Sequence, residues 1–127
     1  MLITTGLRGF SVPEPHGRWS DGNFSSYDCK IPLNGRLPTK IVLELTGYVP
    51  NNYEQNVIAS VNHGTEVKIK LDVSNPHQKL EIPLTGLVAG SELSLELKFP
   101  NAKSPSDFGL SSDARKLGAS VSRITLE

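Results

Sequence analysis

The chain has 127 residues with 13 basic and 13 acidic side chains, and 6% of its positions are aromatic. That balance lacks the basic excess and the stacking platforms that nucleic-acid partners require, so nucleic acid is excluded as an expected partner. With 11 Gly and 9 Pro against 37% hydrophobic residues, the chain is too apolar for disorder, is heavily punctuated, and is long enough to bury about two-thirds of its unfolded surface.

Weak strand patterns run over Leu2 to Leu7 and Phe24 to Ile31. The run Lys40 to Tyr48 nearly alternates apolar with polar residues and closes on Pro50-Asn51-Asn52, as a strand and its turn do. Gln55 to Val61 and Glu66 to Val73 flank Asn62-His63-Gly64, which predicts a tight hairpin because Asn and Gly tolerate positive φ. In the second of these strands Val67, Ile69, Leu71 and Val73 should face the core, with Lys68, Lys70 and Asp72 toward water. Lys79 to Leu84 contains Pro83, which lacks an N–H donor and places that strand at a sheet edge or at its own end. Glu92 to Phe99 keeps a strict period of two. Ala119 to Leu126 slips phase, with Ala119, Val121, Ile124 and Leu126 inward, and the slip predicts a bulge near Ser122 and Arg123. The only helical turn expected is at Asp113 to Leu117.

Eight or so strands at short spacing, without an amphipathic helix, predict an all-β fold: an antiparallel two-sheet β-sandwich, jelly-roll-like, in one domain spanning 1–127. The single cysteine, Cys29, excludes an intrachain disulfide and a Cys-based zinc site. The stretch from Met1 to Phe10 lacks a signal-peptide core, and no run reaches the roughly 18 apolar residues of a membrane span. A free-standing chain would therefore be expected in the cytoplasm, and otherwise this is a piece of a longer chain targeted from elsewhere.

Two long segments do not read as strands. Phe10 to Gly22 gathers Glu14, His16, Arg18, Asp21 and the sole Trp, Trp19, and Asn101 to Gly118 gathers Asp107, Asp113 and Arg115. Long irregular segments in a small domain are commonly functional or mobile, and both would lie at one end of the sandwich if the first and last strands are neighbours. Trp19 offers a flat apolar face, and Glu14, His16, Arg18, Asp21, Asp113 and Arg115 offer planar hydrogen-bonding groups, the combination that suits a sugar ring. The competing expectation is bracing. Arg18 and Arg115 would pair with Glu14, Asp107 or Asp113 to order the loops, while Trp19 plugs one end of the core.

Other chemistry has little support. His16, His63 and His77 stand at unrelated spacings, which argues against a metal site, and Asp21, Asp107 and Asp113 lack the alternating acids of a calcium loop. Glu14 and Asp21 as a glycosidase pair would need a measured separation, and Ser104, Ser111 and Ser112 lack an elbow motif. Neither a catalytic residue nor a cofactor is expected.

The run Glu14-Pro15-His16-Gly17-Arg18-Trp19-Ser20-Asp21-Gly22, with Ser104-Pro105 and Gly109-Leu110-Ser111-Ser112-Asp113-Ala114-Arg115-Lys116-Leu117-Gly118 before the last strand, resembles the paired signatures of a β-sandwich accessory domain. Such domains stand at the C-terminal ends of bacterial envelope-glycan enzymes, namely phosphoglycerol transferases that modify periplasmic glucans and surface-polysaccharide glycosyltransferases. Where those domains tend to show Val-Asn-Gly, this chain interposes His63. The resemblance implies a non-catalytic module on the periplasmic side of a bacterial inner membrane, monomeric in isolation. It would contact glycan weakly or support the catalytic domain of its parent chain, with Met1 falling inside that longer chain. By position, Glu14, Arg18, Trp19, Asp21, Asp113 and Arg115 are its motif residues.

Overall fold

The computed structural model describes residues 3–127; Met1 and Leu2, where the first expected strand begins, lie outside the described residues. The described residues form nine strands in chain order: β1 (Ile3–Arg8), β2 (Arg18–Trp19), β3 (Phe24–Lys30), β4 (Lys40–Gly47), β5 (Gln55–Val61), β6 (Val67–Leu71), β7 (His77–Pro83), β8 (Glu92–Lys98) and β9 (Ala119–Leu126). One sheet has the order β1-β3-β8-β5-β6 and the other β2-β9-β4-β7, and every pairing is antiparallel. This is the expected all-β sandwich, with one strand more than expected because Arg18 and Trp19 pair with Val121 and Ser120 inside a segment that reads as irregular.

The alternation seen in the sequence becomes the core. Ile41, Leu43 and Leu45 of β4, with Leu80 and Ile82 of the neighbouring β7, meet Val57 and Ala59 of β5 and Leu93, Leu95 and Leu97 of β8 on the other sheet in one buried cluster. Each large apolar side chain so buried contributes about 2 kcal/mol against exposure. Cys29 is buried among them, and desolvation pushes its thiol pKa up, with Asp28 and Glu92 adding to the effect.

Turn chemistry sets the registers. Asn62 and His63 both take positive φ (51° and 58°) between β5 and β6, and Gly64 N donates to Val61 O at 2.9 Å. That is a left-handed turn over Val61 to Gly64 within a five-residue connection, since Asn62 to Glu66 join the strands and the last rung of the ladder is Ala59 with Val67. The hairpin is longer than the tight one expected, and His63 holds the second left-handed position that Gly usually takes. β7 is an edge strand and Pro83 is its last residue, as its missing N–H demands. The bulge in β9 falls where the phase slips, with Glu44 opposite Arg123 while the adjacent Leu45 is opposite Val121.

Two local expectations are corrected. Val73 is 52% exposed rather than inward. β6 ends at Leu71 because Asp72 Oδ1 accepts the N–H groups of Ser74 and Asn75, turning the chain before Val73 can join the strand. Asp113 to Leu117 is irregular rather than helical, since Asp113 Oδ1 takes the N–H of Arg115 in a local turn. The helical turn lies upstream at Pro105–Phe108. There the Ser104 hydroxyl accepts from Asp107 N, the Asp107 carboxylate accepts from Ser104 N, and Gly109 closes the turn at a φ of 69°.

Candidate functional site

Both irregular segments lie at the same end of the sandwich and are bonded to each other. Ser20, one residue beyond β2, directs its buried Oγ at the start of β9, where it accepts the N–H groups of Gly118 (3.0 Å) and Ala119 (3.1 Å). Asp21 Oδ1 accepts from Lys116 N at 3.0 Å, and Gly22 N donates to Lys116 O at 2.8 Å. Gly17 is required where the first segment crosses β9: its φ is +129°, and a Cβ there would stand 2.3 Å from Val121 O.

The motif charges form an ionic cluster across this junction. Arg115 Nη2 bonds Asp113 Oδ2 at 2.7 Å, its Nε reaches both carboxylate oxygens at 3.1 Å, and its Nη1 reaches Glu14 Oε1 and Ser11 Oγ at 3.2 Å. Glu14 is held in place by a turn in which it exchanges backbone hydrogen bonds with Gly17. The guanidinium hydrogen bonds hold the Asp113 carboxyl below its ordinary range, and Asp113 in turn raises the pKa of Arg115. Lys116 Nζ bonds Asp107 Oδ2 at 2.6 Å, and this bond, with those from Ser104, holds the Asp107 carboxyl far below its ordinary value. Arg115 to Glu14 and Ser11, and Asp21 to Lys116, thus tie the two segments together, while Asp107 and Asp113 are bonded within the second segment.

Arg18 and His16 stand apart from this cluster. Arg18 makes a long 3.5 Å contact to Ser11 O and pairs with no carboxylate among the described residues, so the bracing expected of it is absent. His16 is exposed at the tip of the Glu14–Gly17 turn. Among the described residues, no three metal-ligating side chains cluster.

Of the two roles expected of Trp19, plugging the core is not seen: the side chain is half-buried and is not part of the core cluster. Residues paired across an antiparallel sheet share a face. Trp19 is opposite Ser120, Ser120 opposite Thr46, and Thr46 opposite His77, so these four form one row across β2, β9, β4 and β7. Arg18 pairs with the inward Val121, so the row faces outward. Four strands at about 4.8 Å spacing make it about 14 Å long.

One end of the row is aromatic. Trp19 meets the Tyr48 ring edge-on at 5.9 Å, Tyr48 meets Phe108 at 6.2 Å and Phe108 meets Tyr53 at 5.2 Å, so half of the chain's aromatic residues form one continuous run. The Tyr48 hydroxyl is buried without a hydrogen-bond partner among the described residues, and its pKa is raised by that desolvation and then by the nearby Asp113 charge. At the other end the Thr46 hydroxyl meets His77 Nδ1 at 2.8 Å, which fixes the imidazole beside a shallow groove of about 310 Å³ lined by Glu44, Lys79 and Ser122.

Sequence reasoning missed Thr46, His77 and Ser120. The outward set Val42, Glu44, Thr46, Tyr48 is legible in the alternation of that run, but which strands flank it is settled by contacts between residues far apart in sequence.

A search of the curated proteins finds no match to this chain. Among solved structures, an active site mutant of a family two carbohydrate esterase from Clostridium thermocellum superposes on 100% of the chain at a TM-score of 0.49 and 13% identity, and a family 6 carbohydrate-binding module at 0.44 and 12%. The chain spans 31% of the length of the esterase and 86% of that of the module. The family match is nearly end to end: the DUF7024 family, described as a domain of unknown function, covers residues 4–127, and the chain belongs to that family.

Proposed function

We propose that this chain is a non-catalytic glycan-binding module whose contact surface is the outer face of the four-stranded sheet around Trp19. The observation that carries the reading is the row Trp19, Ser120, Thr46, His77. An indole offers an apolar face with a polar N–H at its edge, which suits the carbon face of a sugar ring. The fixed imidazole of His77 and the groups of Glu44 and Lys79 supply the few placed polar contacts that orient a ligand rich in hydroxyls. A surface this open implies weak binding to an oligosaccharide.

The motif resemblance supports a parent chain of the phosphoglycerol transferase or envelope-polysaccharide glycosyltransferase kind, with the module on the periplasmic side. Glu14, Asp21, Asp113 and Arg115 then belong to the frame that holds Trp19, and not to the contact surface. That ionic frame favours a second reading, in which the domain stabilises or docks on the catalytic part of its parent.

Calorimetric titration with glucan oligosaccharides separates the two. The glycan reading expects Trp19→Ala and His77→Ala each to weaken binding by about tenfold, the order of one lost hydrogen bond or ring contact, while Arg115→Ala binds as the parent does. Absence of heat at millimolar oligosaccharide would leave the docking role.

A further inference from the structure

β9 has partners on both sides over its first half alone. β4 pairs with it along its length, whereas β2 stops at Arg18, opposite Val121. Lys40 and Glu127 exchange backbone hydrogen bonds of 3.1 and 2.9 Å. Stepping by two along an antiparallel ladder, Thr125 and Arg123 also bond toward β4, so the N–H and C=O groups of Ile124 and Leu126 point the other way. Among the described residues, nothing bonds to them on that side.

Two open grooves lie along this edge and share Ile124. One, of about 530 Å³, is lined by Leu7, Phe10 and Pro13, and the other, of about 540 Å³, by Pro32, Leu37 and Pro38. Exposed strand edges recruit further strands unless something blocks them. β7 carries Lys79 and Pro83, β6 carries Lys68 and Lys70, and β1 is bulged between Thr4 and Gly6. The stretch 122–126 has no Lys, no Pro and no covering strand.

Charge names the occupant. Arg18 and Arg36 line the two grooves, and neither is ion-paired among the described residues, whereas Arg115 pairs with Asp113 and Glu14 and Arg123 with Glu44. The carboxylate in the lining, Glu127, is 3.9 Å from Lys40. A second copy of this edge would set arginine against arginine. We propose that the Ile124–Leu126 edge of β9 takes an extended acidic peptide segment as an added strand, its apolar side chains in the two grooves and its carboxylates on Arg18 and Arg36.

The test is amide hydrogen exchange of the labelled protein with a synthetic peptide alternating Val and Glu, beside a counterpart alternating Val and Lys. The proposal expects the Ile124 and Leu126 amides to exchange about tenfold more slowly with the acidic peptide alone, and the Arg18→Glu, Arg36→Glu double variant to lose that protection. Ile124→Pro, which deletes one outward N–H, should weaken peptide binding. Should that variant not fold, the arginine variant, which leaves the ladder intact, decides. Equal protection by the basic peptide, or none by either at millimolar concentration, overturns the proposal. So does protection that rises with protein concentration without peptide, which would make a second copy the occupant.

Discussion

Trp19 stands directly opposite Ser120 across β2 and β9, on the outer face of the four-stranded sheet. Ser120 is 3% exposed and its Oγ has no hydrogen-bond partner among the described residues, so a buried hydroxyl lies beside the one indole of the chain. Both positions are fixed from below by Ser20, whose Oγ ties the end of β2 to the start of β9. On the proposed reading the sheet face and the ionic junction behind it have separate duties, and substitutions should separate them.

Arg115→Ala should lower stability without touching glycan affinity. The guanidinium is about one-third exposed and bonded to two carboxylates and a hydroxyl. For a solvent-screened cluster a loss of about 1 kcal/mol is expected, a fall of about 3 to 5 °C in Tm. Arg115→Lys should recover little of it, because an ammonium cannot reproduce the fork on Asp113. Thermal melting of the three proteins checks both statements.

Acid should loosen the same junction. Asp107 and Asp113 are held below their ordinary pKa by Lys116 and Arg115 respectively. Folded, they bind fewer protons than unfolded near pH 4, so their stabilising contribution is complete above about pH 4 and is lost as pH falls toward the depressed folded values. Urea unfolding should show little change from these groups between about pH 7 and pH 5 and a decline below about pH 4. The Asp107→Asn, Asp113→Asn double variant should start lower at neutral pH and decline less steeply in acid.

Gly118→Ala should be among the costliest substitutions of a small residue. A Cβ there would stand 2.5 Å from Phe99 Cδ1 and 2.6 Å from its Cγ, and Phe99 is fully buried in the core. Relief requires moving either the ring or the start of β9, at about 1 to 3 kcal/mol. Denaturant midpoints of the variant and parent measure it. Gly22→Ala is the useful contrast, since space there is open and the strain comes from its φ of +108° alone.

The strands were legible in the sequence wherever apolar and polar residues alternate strictly, as in Glu92 to Phe99 and in the hairpin around Asn62. β2 was not, because two residues carry no period and Arg18 and Trp19 become a strand through β9, about a hundred positions away. The helical turn was misplaced by a few residues for a local reason: the capping pair Ser104 and Asp107 outweighs the helix-forming Ala114-Arg115-Lys116-Leu117, whose first turn Asp113 closes on Arg115 instead. Of the pairings expected of the two arginines, Arg115 forms those with Glu14 and Asp113, and Arg18 forms none among the described residues. The row of Trp19, Ser120, Thr46 and His77 depends on strand order, which no local pattern encodes.

Because Trp19 is the sole tryptophan, its fluorescence reports the central claim directly. Titrated with glucan oligosaccharides to millimolar concentration, the parent protein should show a saturable change in Trp19 emission that His77→Ala weakens and Arg115→Ala leaves in place. A flat emission with every oligosaccharide, or a change that vanishes in Arg115→Ala while surviving in His77→Ala, would contradict glycan binding on this sheet face.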